Sequence, residues 1–205
     1  MQIVAVHEFL HGLGFISSWG SYMGSSFSFP SFINRDENGN PTSIAPEYIF
    51  NRLMSDTLNN VWLKTYAQHI RDAFNDTVIR VSNGGVDDDA FLGMFNQTAG
   101  GKVSAALIGG NGLYQTENAV ACWYPKNMGN KTAYKYVMLY TPSQYSTGSS
   151  ISHVNPDFYK GSSNFLMGPF AAAGVSLDAV TPLGRTGAIG EDILGIFRAI
   201  GYVTL

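Results

Sequence analysis

One cysteine, Cys122, stands in 205 residues, so no disulfide can close within this chain. Charge is scarce as well: Lys, Arg, Asp and Glu together make up 13% of the residues, and the formal net charge is -3. Without clustered Lys and Arg there is no footprint for a nucleic-acid backbone, and none is expected as a partner. No run approaches the 18 uninterrupted apolar residues that a membrane-spanning helix requires. The longest like-charge run, Asp87-Asp88-Asp89, lacks the spacing of an EF-hand and reads as a solvated acidic turn rather than a calcium loop.

What is present is enough for one globular domain over residues 1–205, with 45% hydrophobic residues to build a core. A single unpaired cysteine favours a reducing compartment. Three sequons, Asn75-Asp-Thr, Asn96-Gln-Thr and Asn130-Lys-Thr, favour the opposite, a secreted or cell-surface glycoprotein. The sequons, with the low charge, carry the expectation of secretion. The chain also opens inside an apolar helical pattern, which is expected of a fragment whose signal peptide and β-sheet lie upstream and whose Cys122 partner lies there too.

Periodicity predicts a helix over about 2–13, ended by Gly12 and Gly14 in left-handed conformations. Residues 17–45 read as a long aromatic loop with turns at Glu37-Asn-Gly and Asn40-Pro. Its aromatic residues suit either a substrate channel or simple packing. Leu53, Leu58, Val61, Leu63, Tyr66, Ile70 and Phe74 suggest a helix across 45–74 with Asp56-Thr57 as its cap. Strands are expected at 77–81, 103–108, 119–124 and 134–140, separated by turns at Gly84-Gly85, Gly100-Gly101 and Gly109-Gly110. A loop over 149–169 and an amphipathic helix over about 190–200 complete an α+β reading.

The chemistry concentrates in His7-Glu-Phe-Leu-His11. Histidines four apart on a helix project from one face, one turn apart, and can hold a single Zn²⁺ at about 2.0–2.1 Å. Glu8, roughly 100° around the helix from His7, falls beside the open position and not among the ligands. Zinc lowers the pKa of a bound water towards about 7. A neighbouring carboxylate then takes its proton as the oxygen attacks a carbonyl. Apolar Ile3, Val4, Val6, Leu10 and Leu13 surround the motif, and a buried face carrying two His and a Glu calls for a cation. For a third ligand there are His69, inside a polar helical stretch, and His153, in the loop Gly148-Ser-Ser-Ile-Ser-His-Val-Asn-Pro. Met167 follows His153 in Asn164-Phe-Leu-Met-Gly-Pro, a sharp turn.

Together His7-Glu-Phe-Leu-His-Gly-Leu-Gly14, Ser152-His153 and Phe165-Leu-Met-Gly-Pro169 resemble the metzincin zinc peptidases, and specifically the leishmanolysin-like branch. There the third histidine lies far downstream, shortly before the Met-turn. Ser17 occupies the place of the contiguous third histidine, a departure from the common metzincin pattern. The resemblance covers roughly residues 3–16, 148–169 and 189–203. It implies a metzincin-like catalytic domain lacking its N-terminal β-sheet, with one Zn²⁺ on His7, His11 and His153, Glu8 as the general base and Met167 beneath the metal. It also implies an endopeptidase acting on proteins or peptides. Gly168 and Pro169 stand where some metzincins supply a tyrosine, and Tyr159 is the nearest one upstream. The alternatives are an inert homologue serving as a secreted adhesion module and a structural domain with an accidental motif.

Overall fold

The computed structural model describes residues 2–21, 26–81, 88–128, 131–170 and 189–202. They form a mixed α+β domain around one continuous core that runs from Ile3 to Phe197 in sequence. Its sheet has four antiparallel strands in the order β6-β5-β7-β8: β5 (Met54–Asp56), β6 (Val61–Trp62), β7 (Val120–Met128) and β8 (Lys131–Met138). Four shorter strands make two small ladders earlier in the chain. In one, β1 (Gly20–Ser21) pairs with β2 (Ser28–Phe29); in the other, β3 (Ile33–Arg35) pairs with β4 (Pro41–Ile44). The expected loop over 17–45 is therefore corrected to paired hairpin segments. The second ladder turns at Gly39, which takes φ +84, while Asp36 accepts from the Asn38 and Asn40 amides.

The opening helix, α1 (Gln2–Gly12), stops through a Schellman arrangement. Gly14 adopts φ +110, its amide donates to the His11 carbonyl at 2.9 Å, and the Phe15 amide donates to the Leu10 carbonyl at 3.1 Å. Leu10 and Phe15, the two residues that this last bond joins, are both buried in the core. Gly12, expected to be left-handed, lies inside the helix; the conformational demand falls on Gly14 alone.

Three helices cover the middle of the chain: α2 (Leu63–Val81), α3 (Asp88–Asn96) and α4 (Ala99–Ile108). In α2 the buried residues Leu63, Ala67, Ile70, Phe74, Thr77 and Val81 recur every three or four positions, as a helix packed on one side requires. Phe29, Phe74, Phe91 and Phe95 interlock with ring centroids 4.9–6.3 Å apart. Each such buried ring contributes on the order of 2–3 kcal/mol of transfer free energy.

Several sequence expectations change here. Within the expected helix, a 3₁₀ helix spans Ile49–Leu53 but residues 54–62 are not helical, because the Asp56 carboxylate accepts from the Leu58 and Asn59 amides and from Tyr66 Oη, and Asn60 takes φ +54. That turn joins β5 to β6 and delays the helix to Leu63, so Asp56 caps a hairpin and not a helix. The strand expected at 77–81 is the last part of α2, where Thr77 Oγ1 donates back to the Ala73 carbonyl at 2.8 Å. Residues 103–108 belong to α4, begun by Thr98, whose side chain accepts from the Gly101 amide. Gly100 and Gly101 form the first turn of that helix and not a loop. A Cβ on Gly100 would collide with the His69 carbonyl, and one on Gly101 with the Phe95 carbonyl, so these glycines let α4 close onto α2 and α3. The strands expected at 119–124 and 134–140 are found as β7 and β8. Gly84, Gly85 and Asp87 fall outside the described residues.

The final elements are α5 (Pro156–Tyr159), a 3₁₀ turn over Ser163–Met167, and α6 (Glu191–Ala199), which buries Ile193, Ile196 and Phe197. Gly195 lets α6 approach β7 closely, since any Cβ there would strike the Tyr124 ring. The Tyr124 hydroxyl donates to Asp192, which also accepts from Asn164 Nδ2 at 2.7 Å. Cys122 is fully buried on β7 and burial pushes its thiol pKa far up, so among the described residues it is part of the core. No described helix is long and apolar enough to cross a membrane.

Candidate metal centre

Three sections of chain converge beside α1. The segment 151–155 lies against the end of β8: the Tyr140 amide donates to the His153 carbonyl and the Ile151 amide donates to the Tyr140 carbonyl, each at 2.8 Å. On its other side the Val154 amide donates to the Met167 carbonyl, again at 2.8 Å. One residue earlier, the Leu166 carbonyl accepts from His7 Nδ1 at 2.8 Å. The sheet edge, the 151–155 strap, the 163–167 turn and the helix are thus linked in series by hydrogen bonds. Ile151, a buried β-branched residue, is held at φ +54, a conformation such residues rarely adopt. That kink precedes His153 by two residues.

His7, His11 and His153 come together, and each Nδ1 faces a backbone carbonyl. His7 Nδ1 meets Leu166, His11 Nδ1 meets Phe15 at 2.6 Å, and His153 Nδ1 meets Ser149 at 2.9 Å. A carbonyl can only accept, so each neutral ring carries its hydrogen on Nδ1 and turns the Nε2 lone pair inward. The three Nε2 atoms stand 3.0, 3.2 and 3.2 Å apart. With the tautomers so fixed, these close approaches are three acceptors facing one another and not hydrogen bonds.

Such an arrangement is stabilised by a cation at its centre. Tetrahedral coordination at 2.0–2.1 Å places ligand atoms about 3.3–3.4 Å apart, close to the spacing found. Burial also pulls the His153 pKa down to about 4, against the opposing effect of its Ser149 hydrogen bond, and pulls that of His11 down as well. Neutral imidazole is the ligating form. The three residues therefore fit a zinc ion, each braced by the outer hydrogen bond that metal-bound histidines normally have.

These histidines line a cleft of about 420 Å³ together with Glu8, Val4, Ile16, Ser149, Gly168 and Pro169. Glu8 is exposed on α1 and opens onto the cleft beside His7. Met167, fully buried, holds the strap through its carbonyl. His69 lies exposed on α2, and among the described residues the group of three side chains able to hold a metal comprises His7, His11 and His153. Tyr159 Oη accepts from the Met138 amide at 3.0 Å, which ties it to the sheet. Asp88 and Asp89 start α3, and Asp88 pairs with Arg35 at 2.8 Å, so the described part of the acidic run is a helix terminus and an ion pair. Phe15, Trp19, Phe29 and Phe50 are buried packing residues; among the described residues of 15–50 it is Ile16 that reaches the cleft.

The carbonyls of Leu166, Phe15 and Ser149 escape any reading of side-chain chemistry, because backbone groups leave no mark in residue type. Gly14, which delivers the Phe15 carbonyl under His11, is the one local signal.

A family model described as SPBPB7E8-like matches residues 119–204. That span takes in β7, β8, His153, Met167 and α6 and leaves out α1. No curated protein and no solved structure matches the chain.

Proposed function

We propose that the chain is a zinc-dependent endopeptidase domain of metzincin, leishmanolysin-like type. The observation that carries this reading is the convergence of three Nε2 lone pairs, from His7, His11 and His153, in a cleft that also presents Glu8. Zn²⁺ held there supplies a Lewis acid that acidifies water and polarises a carbonyl. The chain's own residues do the rest. Glu8 removes the proton from the attacking water as its oxygen bonds to the scissile carbon, and returns it to the departing amine as the C–N bond breaks. Leu166, Phe15 and Ser149 keep the imidazoles in the ligating tautomer throughout. Val4, Ile16 and Pro169 give the cleft apolar walls that displace water from a bound peptide. Proteins or peptides are the substrates, as the likeness to leishmanolysin-like enzymes suggests.

The test is Glu8→Ala. Zinc content measured by mass spectrometry stays at the wild-type level, while casein hydrolysis falls by roughly 100-fold or more, the usual contribution of a positioned acid–base group. Undiminished hydrolysis would remove Glu8 from the mechanism. An extracellular location belongs to the same proposal and is supported by Asn75 and Asn96, both exposed; Asn130 lies outside the described residues.

A further inference from the structure

We infer that Ser152 is a positioning residue for the third histidine, clamping the strap that carries His153 to the segment that leaves α1. The inference rests on the reading of His7, His11 and His153 as a metal site. Two of the three imidazoles sit on one helix, and their separation is fixed by its geometry. The third arrives on a separate strap, and its Nδ1 bond to Ser149 lies within the same loop, so that bond orients the ring without locating it relative to α1.

Two hydrogen bonds reach across from the region after α1 to the region before His153. The Ser17 amide donates to Ser152 Oγ at 3.2 Å, and Tyr145 Oη donates to the Trp19 carbonyl at 3.3 Å. The first is adjacent in sequence to the ligand itself. Ser152 is 3% exposed, so its hydroxyl meets Ser17 with little water to substitute for it. The preceding Ile151 is held at φ +54. Ser17 is thus a contact point for the third ligand's loop: its amide anchors the residue next to His153.

Loss of the hydroxyl frees the strap without removing any ligand atom. Outer groups that orient a ligand typically change metal affinity by roughly 10–100-fold when removed. Ser152→Ala should therefore weaken zinc binding by that factor, measured by competition with a chromophoric chelator. It should also alter the visible d–d absorption of the Co²⁺-substituted protein, which reports coordination geometry and does not respond to stability alone. Ser152→Thr keeps the hydroxyl and should restore both. His153→Ala serves as the control. If wild type and His153→Ala hold zinc equally, the metal reading itself falls and this inference with it. If wild type binds zinc through His153 while Ser152→Ala matches it in affinity and Co²⁺ spectrum, the clamp is overturned and the metal site stands. A Ser152→Ala protein that unfolds at lower temperature in its metal-free form, yet keeps the wild-type Co²⁺ spectrum, also overturns it.

Discussion

Glu47 is a carboxylate poorly matched to its surroundings: its Oε2 is buried without a hydrogen bond, and burial raises its pKa against the pull of Arg71 and Arg52. A raised folded-state value means that protonation favours the folded chain. The stabilisation is full below the unfolded value near 4.5 and is lost as pH rises through the folded one. Glu47→Gln should therefore raise Tm at pH 7, and the gain over wild type should shrink as the pH approaches 4.5. Thermal unfolding of both proteins at the two pH values checks this; a difference independent of pH would assign the effect to shape and not to charge. At the same scale, His7, Glu8 and His11 were readable from spacing alone because a helix converts sequence distance into direction. His153 was a candidate by its loop setting, alongside His69, and the family resemblance singled it out. Nothing in its local sequence encodes the Ser149 carbonyl that fixes its tautomer or the left-handed Ile151 that turns its strap.

Among the elements, the end of α1 does two jobs with one turn. Gly14 stops the helix and thereby delivers the Phe15 carbonyl to His11. Gly14→Ala should lower stability by about 1–3 kcal/mol, since φ +110 strains any Cβ-bearing residue. It should also weaken zinc binding, and calorimetry of the apo and zinc-loaded forms would separate the two effects. A stability loss with wild-type affinity would show that the Phe15 bond is dispensable. Helices α1 and α6 and strands β7 and β8 announce themselves by apolar period. The ends of α2 and the whole of α4 do not. Thr77-Val-Ile-Arg-Val81 is rich in β-branched residues that favour strands, and local preference loses there to packing, whereas Val103–Ile108 is a short apolar run whose Ala105, Ala106 and Leu107 favour a helix. What decides α4 is Thr98 as a cap and two glycines that admit the carbonyls of His69 and Phe95 at close range. Such long-range steric facts have no local signature.

At the scale of the whole molecule, an ion held by His7, His11 and His153, as proposed, would tie together the first helix, the strap on the sheet edge and, through Leu166, the turn before α6. Stripping it with EDTA should lower Tm, and readding Zn²⁺ should restore it. With free zinc at about 100 times Kd, linkage adds about 2.7 kcal/mol, equivalent to roughly 5–10 °C for a chain of this size. No shift by scanning fluorimetry would mean that the three histidines hold nothing at that concentration. The α+β class and the terminal helices were legible in advance because they follow from composition and period. The order β6-β5-β7-β8 was not, because it depends on which distant strands meet.

The sequence separation of 146 from His7 to His153 also governs when the site can exist. Closing so long a loop costs chain entropy that only an assembled core can offset. A nascent or refolding chain can present the helical pair alone, a weak and open-sided chelate. Zinc therefore has little to grip until the sheet edge has formed and the strap has docked, and it cannot act as a nucleus for folding. On the proposed reading its uptake would mark the last step of maturation, and partly folded chains would lack the ion.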